Sequence, residues 1–208
     1  MSLLDKWHGP WIHQRRVKVL ARHFHEVLPP GTRSLLDVGC GDGKLAREIL
    51  RLRPDLIVHG LDVFERPASA IPVTVFDGRS LPFQNRDFDV VLFADVLHHT
   101  DDPLVLLGEA ARVSRLGVVI KDHLQQGPLA RATLSFMDWV GNASHGVALP
   151  YNYWRPDQWQ TAFDALGLKP SAWRTKLGLY PVPTHLLFER SLHFVAFLKS
   201  KSNENAGG

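Results

Sequence analysis

The chain has 208 residues, 45% of them hydrophobic, which suits one compact domain with its own core over residues 1–208. Its 24 basic and 21 acidic side chains leave a formal net charge of only +3, which makes a nucleic-acid partner unlikely. The single cysteine excludes an intrachain disulfide and a thiolate metal cluster. No uncharged run reaches the roughly 20 residues of a membrane span, and no leader is visible, so we expect a cytoplasmic protein.

The first predicted element is a helix over residues 11–28. Its apolar side chains recur at helical spacing, and Pro29, Pro30 and Gly31 end it. We expect this helix to pack beside a sheet.

A buried strand, a tight turn and a helix follow over residues 35–50. Gly39, Gly41 and Gly43 form the turn, where glycine permits positive φ and a close approach of a ligand to the backbone. Unpaired N–H groups at the start of the helix point at such a ligand. A dinucleotide fingerprint would need its third glycine at Lys44, and a phosphate loop would need Ser or Thr at Leu45. The sequence therefore predicts a small-molecule cradle and disfavours a nicotinamide or nucleotide-sugar enzyme.

Strands and helices alternate over residues 34–122, which predicts a parallel sheet with helices on both faces. Because ligands bind at the carboxyl ends of such strands, the residues at those ends should face one crevice. Asp62, Asp77, Ala94 and Asp122 occupy these positions. From the pattern alone, Asp62 can either accept hydrogen bonds from a ribose or cap a turn.

The motifs at residues 35–43, 60–62, 81–91 and 96–103 resemble those of the class I S-adenosylmethionine-dependent methyltransferases. More narrowly, they are similar to the branch that includes ubiquinone and menaquinone methyltransferases. The resemblance implies a Rossmann-like, seven-stranded, mostly parallel α/β sheet whose last strand is antiparallel, with residues 34–122 as the cofactor-binding core. The sequence departs from the family after the helix at 103–114, where a Pro-Gly-Gly turn is replaced by a stretch with one glycine, Gly117.

The resemblance also implies S-adenosylmethionine as the cofactor and assigns residues to its parts. The glycine turn would pack against the methionine, Asp62 would hold the ribose, and the backbone of Ala94 would meet the methionine amine. Side chains after the second and third strands would contact the adenine. The cofactor-binding set is Asp37, Gly39, Cys40, Gly41, Asp62, Val63, Phe64, Asp77, Gly78 and Ala94.

Residues 124–155 interrupt the alternation and are rich in aromatic side chains. Such a segment is either a small satellite core or a lid over a substrate pocket, and its place after the fifth strand favours the lid. A helix over 157–166 and strands at 171–174 and 192–198 follow, and the polar tail 199–208 is expected to be disordered.

Methyl transfer from a sulfonium requires alignment of two reactants and exclusion of water, and a general base only if the acceptor is protonated. His98, His123 and Tyr153 are the candidate catalytic residues, with His99 as a further possibility. One of the paired histidines can instead cap or pack the helix that begins near Pro103. No metal is expected, since these residues lack the helical spacing of a metal-binding pair.

The segment after the fourth strand, Ala94–His98, lacks the Asn/Asp-Pro-Pro-aromatic motif of the resembling enzymes that methylate nucleobase amines. We therefore expect methyl transfer to a small organic acceptor. The alternative is a non-catalytic member of the fold that binds a cofactor or a protein partner. The oligomeric state is left open by the sequence.

Overall fold

A seven-stranded sheet organises the computed structural model, which describes residues 3–65, 68–142, 150–182 and 184–200. The strand order is β3-β2-β1-β4-β5-β7-β6. Strands β1 to β5 are mutually parallel, and β7 runs antiparallel between β5 and β6. The strands are Ser34–Val38 (β1), Ile57–Asp62 (β2), Val73–Val75 (β3), Phe88–Ala94 (β4), Ser114–His123 (β5), Leu168–Arg174 (β6) and His193–Ser200 (β7). The predicted α/β architecture, with an antiparallel last strand, is confirmed.

Helices cover both faces of this sheet. They are Leu3–Val27 (α1), Lys44–Leu52 (α2), Pro103–Val113 (α3), Ala130–Asn142 (α4), Pro156–Ala165 (α5) and His185–Phe188 (α6), with one 3₁₀ turn at Leu97–His99. Asp102 caps α3, because its side chain accepts a hydrogen bond from the N–H of Leu104 at 3.0 Å. Among the described residues, none of the helices is both long enough and apolar enough to cross a membrane.

Two hydrophobic cores lie on opposite faces of the sheet, because successive strand residues point to opposite sides. Leu36 and Phe93 face α3 and α5, whereas Leu35 and Leu92 face α1 and α2. All four side chains are essentially inaccessible to solvent. Burial of each such side chain contributes about 1.5–3 kcal/mol, so the central strands are held from both sides.

Strand β5 shows how the chain manages without the Pro-Gly-Gly turn of the resembling family. Helix α3 ends at Val113 and β5 begins at the next residue, so the strand is longer than the predicted segment 116–120. Gly117 has φ +150°, and a Cβ placed there would lie 2.0 Å from the carbonyl oxygen of Leu198 on β7. The retained glycine therefore permits close pairing of β5 with β7.

The outer segments differ from the expectations in extent. Helix α1 begins at Leu3 rather than at residue 11, and Lys199 and Ser200 belong to β7 rather than to a disordered tail. The rest of that tail, 201–208, lies outside the described residues. Within the segment 124–155, Ala130, Leu134 and Tyr153 form a small core with Leu192, and residues 143–149 are not described.

Candidate functional site

The glycine turn after β1 is held against the end of β2. The N–H groups of Gly39 and Cys40 both donate to the carbonyl of Leu61, at 2.7 and 3.0 Å. Gly39 has φ +73°, and a Cβ on it would lie 2.5 Å from a methyl group of Val96. Backbone conformation and close packing thus both require glycine at this position.

Asp62 fixes the same turn through its carboxylate. Its Oδ2 accepts from the N–H of Gly41 at 2.8 Å, and its Oδ1 accepts from the N–H of Phe64 at 2.9 Å. The residue is buried at the carboxyl end of β2. Of the two roles left open by the sequence, the turn-stabilising role is therefore visible in the structure, and the ribose-binding role stays a prediction.

Asp37 is a buried carboxyl group beside Asp62. Its Oδ2 has no hydrogen-bond partner among the described residues. Burial and the charge of Asp62 raise the pKa of Asp37 to about 7. A carboxyl group in this state is costly to the folded chain unless a ligand supplies a donor or a positive charge.

Asp37 lines a cavity of about 220 Å³ at the carboxyl ends of β1 and β4. The predicted residues Gly39, Cys40 and Ala94 line it too, together with Arg16 and Asp95. The structure thus brings three of the predicted methionine-binding residues to one cavity, and Gly41 lies in the same turn but not among the lining residues.

The predicted adenine-binding residues lie at the ends of β2 and β3. Val63 and Phe64 each expose about half of their surface, 47%, although both are large apolar residues. A Cβ on Gly78 would lie 3.2 Å from Val63, so the two predicted groups adjoin each other. Asp77 accepts from the N–H groups of Arg79 and Ser80 at 2.8 Å each, and these bonds lower its pKa. The carboxylate of Asp77 therefore stabilises its own turn.

A second cavity, of about 180 Å³, adjoins the first. Arg16 and Asp95 line both cavities. The remaining lining residues are mostly rings or titratable groups: His98, His99, His123, Met137, Asp138 and Tyr180. Because α4 contributes Met137 and Asp138, part of the segment 124–155 does cover this space, in addition to forming the small core.

His98 is oriented by Asp122. The Nδ1 atom of His98 lies 2.6 Å from Oδ1 of Asp122, while Oδ2 of that carboxylate accepts from the N–H of Leu97 at 3.0 Å. Burial lowers the pKa of His98, but Asp122 and Asp138 outweigh burial and hold that pKa above its usual range. Asp122, predicted to face the crevice, lies beneath it and positions His98.

His123 sits next to His98 and is held in the neutral form. Burial, His98 and Lys121 hold the pKa of His123 well below its usual range. Its Nδ1 lies 3.0 Å from Nδ1 of His193, and its Nε2 lies 3.5 Å from Oδ1 of Asp138.

The surroundings of Tyr153 do not suit the predicted role of general base. Its hydroxyl donates a hydrogen bond to Asp138, and burial together with that carboxylate raises its pKa. A tyrosine in this state is a poor proton acceptor. Its ring also belongs to the small core, so the structure favours a supporting role for this residue.

Sequence reasoning missed several residues of the second cavity. Asp95 has φ +60° and pairs with Arg16 at 3.3 Å and with the buried Lys121. Burial raises the pKa of Asp95, but Lys121, His123 and Arg16 outweigh it and hold that pKa well below its usual range. The position of Asp95, directly after β4, was a signal that could have been used. Arg16, Asp138 and Tyr180 come from α1, α4 and the segment before α6, and a single sequence carries no signal that these elements meet.

The fold agrees with the comparisons with known proteins. Residues 11–171 match the family of methyltransferase domains, and the chain therefore belongs to that family. An uncharacterized methyltransferase from Mycobacterium sp. (strain JLS) is 32% identical over 123 residues, which cover 55% of this chain and 48% of the relative. The 27-O-demethylrifamycin SV methyltransferase of Amycolatopsis mediterranei is 33% identical over 96 residues, which cover 40% of this chain and 35% of the relative.

This chain thus matches about half, or less, of the length of these curated relatives. Among solved structures, the plantazolicin methyltransferase BpumL, in complex with a triazolic desmethylPZN analog and SAH, superimposes with a TM-score of 0.61 at 14% identity. That superposition covers 95% of this chain and 88% of BpumL. The methyltransferase family is confirmed, and the narrower ubiquinone and menaquinone branch stays a prediction. The fold is shared with a protein named as a methyltransferase.

Proposed function

We propose that this protein transfers a methyl group from S-adenosylmethionine to a small organic acceptor. The observation that carries the proposal is the pair of adjoining cavities at the carboxyl edge of the parallel strands, which share Arg16 and Asp95 as a common wall. Adjoining sites of this kind suit a direct transfer between two bound reactants. The family membership and the SAH-bound relative of the same fold support this proposal.

The first cavity suits a cationic, amine-bearing adenosyl cofactor. The unpartnered oxygen of Asp37 calls for a donor or a positive charge, and a Cβ on Gly41 would meet no atom within 4 Å, so the turn leaves space there. We propose that Asp37, Gly39, Cys40, Gly41 and Ala94 hold the methionine part and that Asp62 holds the ribose. Val63, Phe64, Asp77 and Gly78 would flank the adenine, with the two half-exposed apolar side chains against the ring face.

S-Adenosylmethionine supplies an electrophilic methyl group when bound. The residues of the chain align the acceptor and exclude water, which can contribute several kcal/mol to lowering the barrier. His98 and His123 line the acceptor cavity, and the hydroxyl of Tyr153 donates a hydrogen bond to Asp138, which also lines it. We propose that these residues position the acceptor.

The second cavity suits a ring-bearing acceptor. Its walls include the Tyr180 ring and three imidazoles, which can stack on a planar substrate. The sequence resemblance to ubiquinone and menaquinone methyltransferases supports this acceptor class, and one relative, 33% identical over 96 residues, is named 27-O-demethylrifamycin SV methyltransferase. We therefore propose a phenol, a quinol or a related hydroxylated ring as the acceptor class. We further propose that residues 1–208 form a single domain and that α4 forms part of a lid over the acceptor.

A radiolabel assay tests the proposed activity. In separate reactions, the intact protein and S-adenosyl-[methyl-³H]methionine are incubated with a panel of phenols and quinols, with total RNA or with a protein extract. We expect label in the organic-extractable fraction of one or more ring-bearing acceptors. Label confined to RNA or protein would contradict the acceptor class, and cofactor binding without transfer to any acceptor would favour the non-catalytic alternative.

A further inference from the structure

The second cavity contains histidine nitrogens that no protein group satisfies. Nε2 of His98, a residue only 2% exposed, has no hydrogen-bond partner among the residues that the structure describes, and the same is true of Nδ1 of His99. Both residues line the cavity together with Asp138. Each of the three offers a ligand atom, and these atoms lie within 4.8 Å of one another.

The groups around this point are mostly electron-pair donors. The Nδ1 atom of His98 faces Asp122, so the neutral form of His98 carries its lone pair on Nε2. That Nε2 atom lies 3.4 Å from Oδ2 of Asp138, a carboxylate oxygen that also accepts from Tyr153. A cation between Nε2 and this carboxylate, either a proton or a metal ion, satisfies the electron pairs of both groups.

The spacing between His98 and Asp138 matches that of two ligands around a metal ion, and all three ligand atoms lie within 4.8 Å of one another. With metal–ligand distances of about 2.0–2.1 Å, adjacent ligands of a tetrahedral ion lie about 3.4 Å apart. Asp138 lies 3.4 Å from His98, and its other oxygen lies 3.5 Å from Nε2 of His123. The other nearby carboxylate, Asp95, is already paired with Lys121 and Arg16.

We propose that His98, His99 and Asp138 bind a divalent transition-metal ion, with His123 beside them and Asp122 orienting His98. Two imidazoles and one carboxylate suit Zn²⁺, Co²⁺, Mn²⁺ or Fe²⁺ better than Mg²⁺ or Ca²⁺. The expectation of no metal relied on the spacing of the histidines alone. It missed Asp138, which reaches the histidines from α4.

The cavity leaves room for a further ligand on such an ion. In a role that rests on the proposed function, the open position would bind the hydroxyl oxygen of the acceptor. Coordination lowers the pKa of a bound hydroxyl, so its proton leaves to solvent before the oxygen accepts the methyl group. The binding of the ion itself is independent of methyl transfer.

Cobalt titration of the chelator-treated, intact protein tests the inference. We expect one equivalent of Co²⁺ to produce visible d–d bands, and Zn²⁺ to displace it. His99→Ala and Asp138→Asn should each weaken binding by at least about tenfold. The matched control His25→Ala, at an exposed histidine of α1, should stay within about twofold of the unmodified protein.

Circular dichroism reports whether each variant is folded. If the ligand variants do not fold, X-ray absorption of the zinc-loaded, unmodified protein decides the question, since two imidazole ligands support the site and none overturns it. Absence of stoichiometric Co²⁺ binding, or equal affinity in folded ligand variants and the control, would also overturn it. Titration of the same samples with S-adenosylmethionine separates this failure from a failure of the proposed function.

Discussion

Asp37 and Asp62 are neighbouring carboxyl groups near the glycine turn, and their surroundings differ. Both oxygens of Asp62 accept backbone N–H groups, whereas Oδ2 of Asp37 has no partner among the described residues. Backbone donors stabilise a carboxylate, and burial without donors destabilises one. These surroundings therefore favour the proton on Asp37 until a ligand supplies a donor or a positive charge.

Asp37→Asn should change how stability depends on pH. The folded-state pKa of Asp37, about 7, lies above its ordinary value of 3.8, so the folded chain holds a proton that the unfolded chain loses. This side chain therefore destabilises the fold progressively as pH rises from about 4 to about 7. The difference in the free energy of unfolding between the variant and the unmodified protein should shift in favour of the variant by on the order of 2–4 kcal/mol from pH 4 to pH 8, measured by urea unfolding. A stability difference that is independent of pH would contradict a buried, protonated Asp37.

Asp62→Ala should weaken the binding of S-adenosylmethionine. The variant loses the proposed ribose contact and leaves the N–H of Gly41 without its partner, so we expect a loss of about 1–3 kcal/mol. Isothermal titration calorimetry gives this value. Asp55→Ala is the matched control, because Asp55 is a carboxylate that precedes β2 and pairs with Arg53. Equal affinities for the two variants would rule out the role of Asp62.

At the scale of elements, the sequence predicted what depends on local pattern. The glycine turn, the apolar runs of β1, β2 and β4, and Pro103 at the start of α3 are local features, and the structure has them where they were expected. The extent of β5 was underestimated, because Arg115 and Lys121 are charged. Lys121 is nevertheless fully buried, since Asp95 supplies its counter-charge from the end of β4. That ion pair joins two segments that are distant in the sequence, so the local pattern of neither segment predicts it.

Gly117→Ala should destabilise the pairing of β5 with β7. The added Cβ would meet the carbonyl oxygen of Leu198 at 2.0 Å, and neither strand can move without disturbing both cores. We expect a loss of at least about 2 kcal/mol in the free energy of unfolding, measured by urea denaturation.

Gly108→Ala is the matched control for this change. Gly108 lies in α3, and a Cβ there would meet only Leu166, at 3.6 Å. Alanine favours the helix by about 1 kcal/mol over glycine, so this variant should be neutral or more stable. Similar losses for both variants would show that the tight pairing at Gly117 is not what requires glycine.

At the scale of the whole molecule, the fold and some residues of both cavities followed from the sequence, and the assembly of the second cavity did not. The cofactor-binding prediction draws on strand ends that the topology of a parallel sheet gathers at one edge. The second cavity also needs Arg16 from α1, Asp138 from α4 and Tyr180 from the segment before α6. Their meeting depends on helix packing across the chain, for which one sequence has no local pattern.

We propose above all that an adenosyl cofactor binds at the carboxyl edge of the sheet, against the glycine turn and Asp62. Calorimetric titration of the intact, folded protein with S-adenosylmethionine tests it most directly. The account predicts one binding site per chain, with S-adenosylhomocysteine competing for it. A folded sample that takes up neither compound would contradict the account.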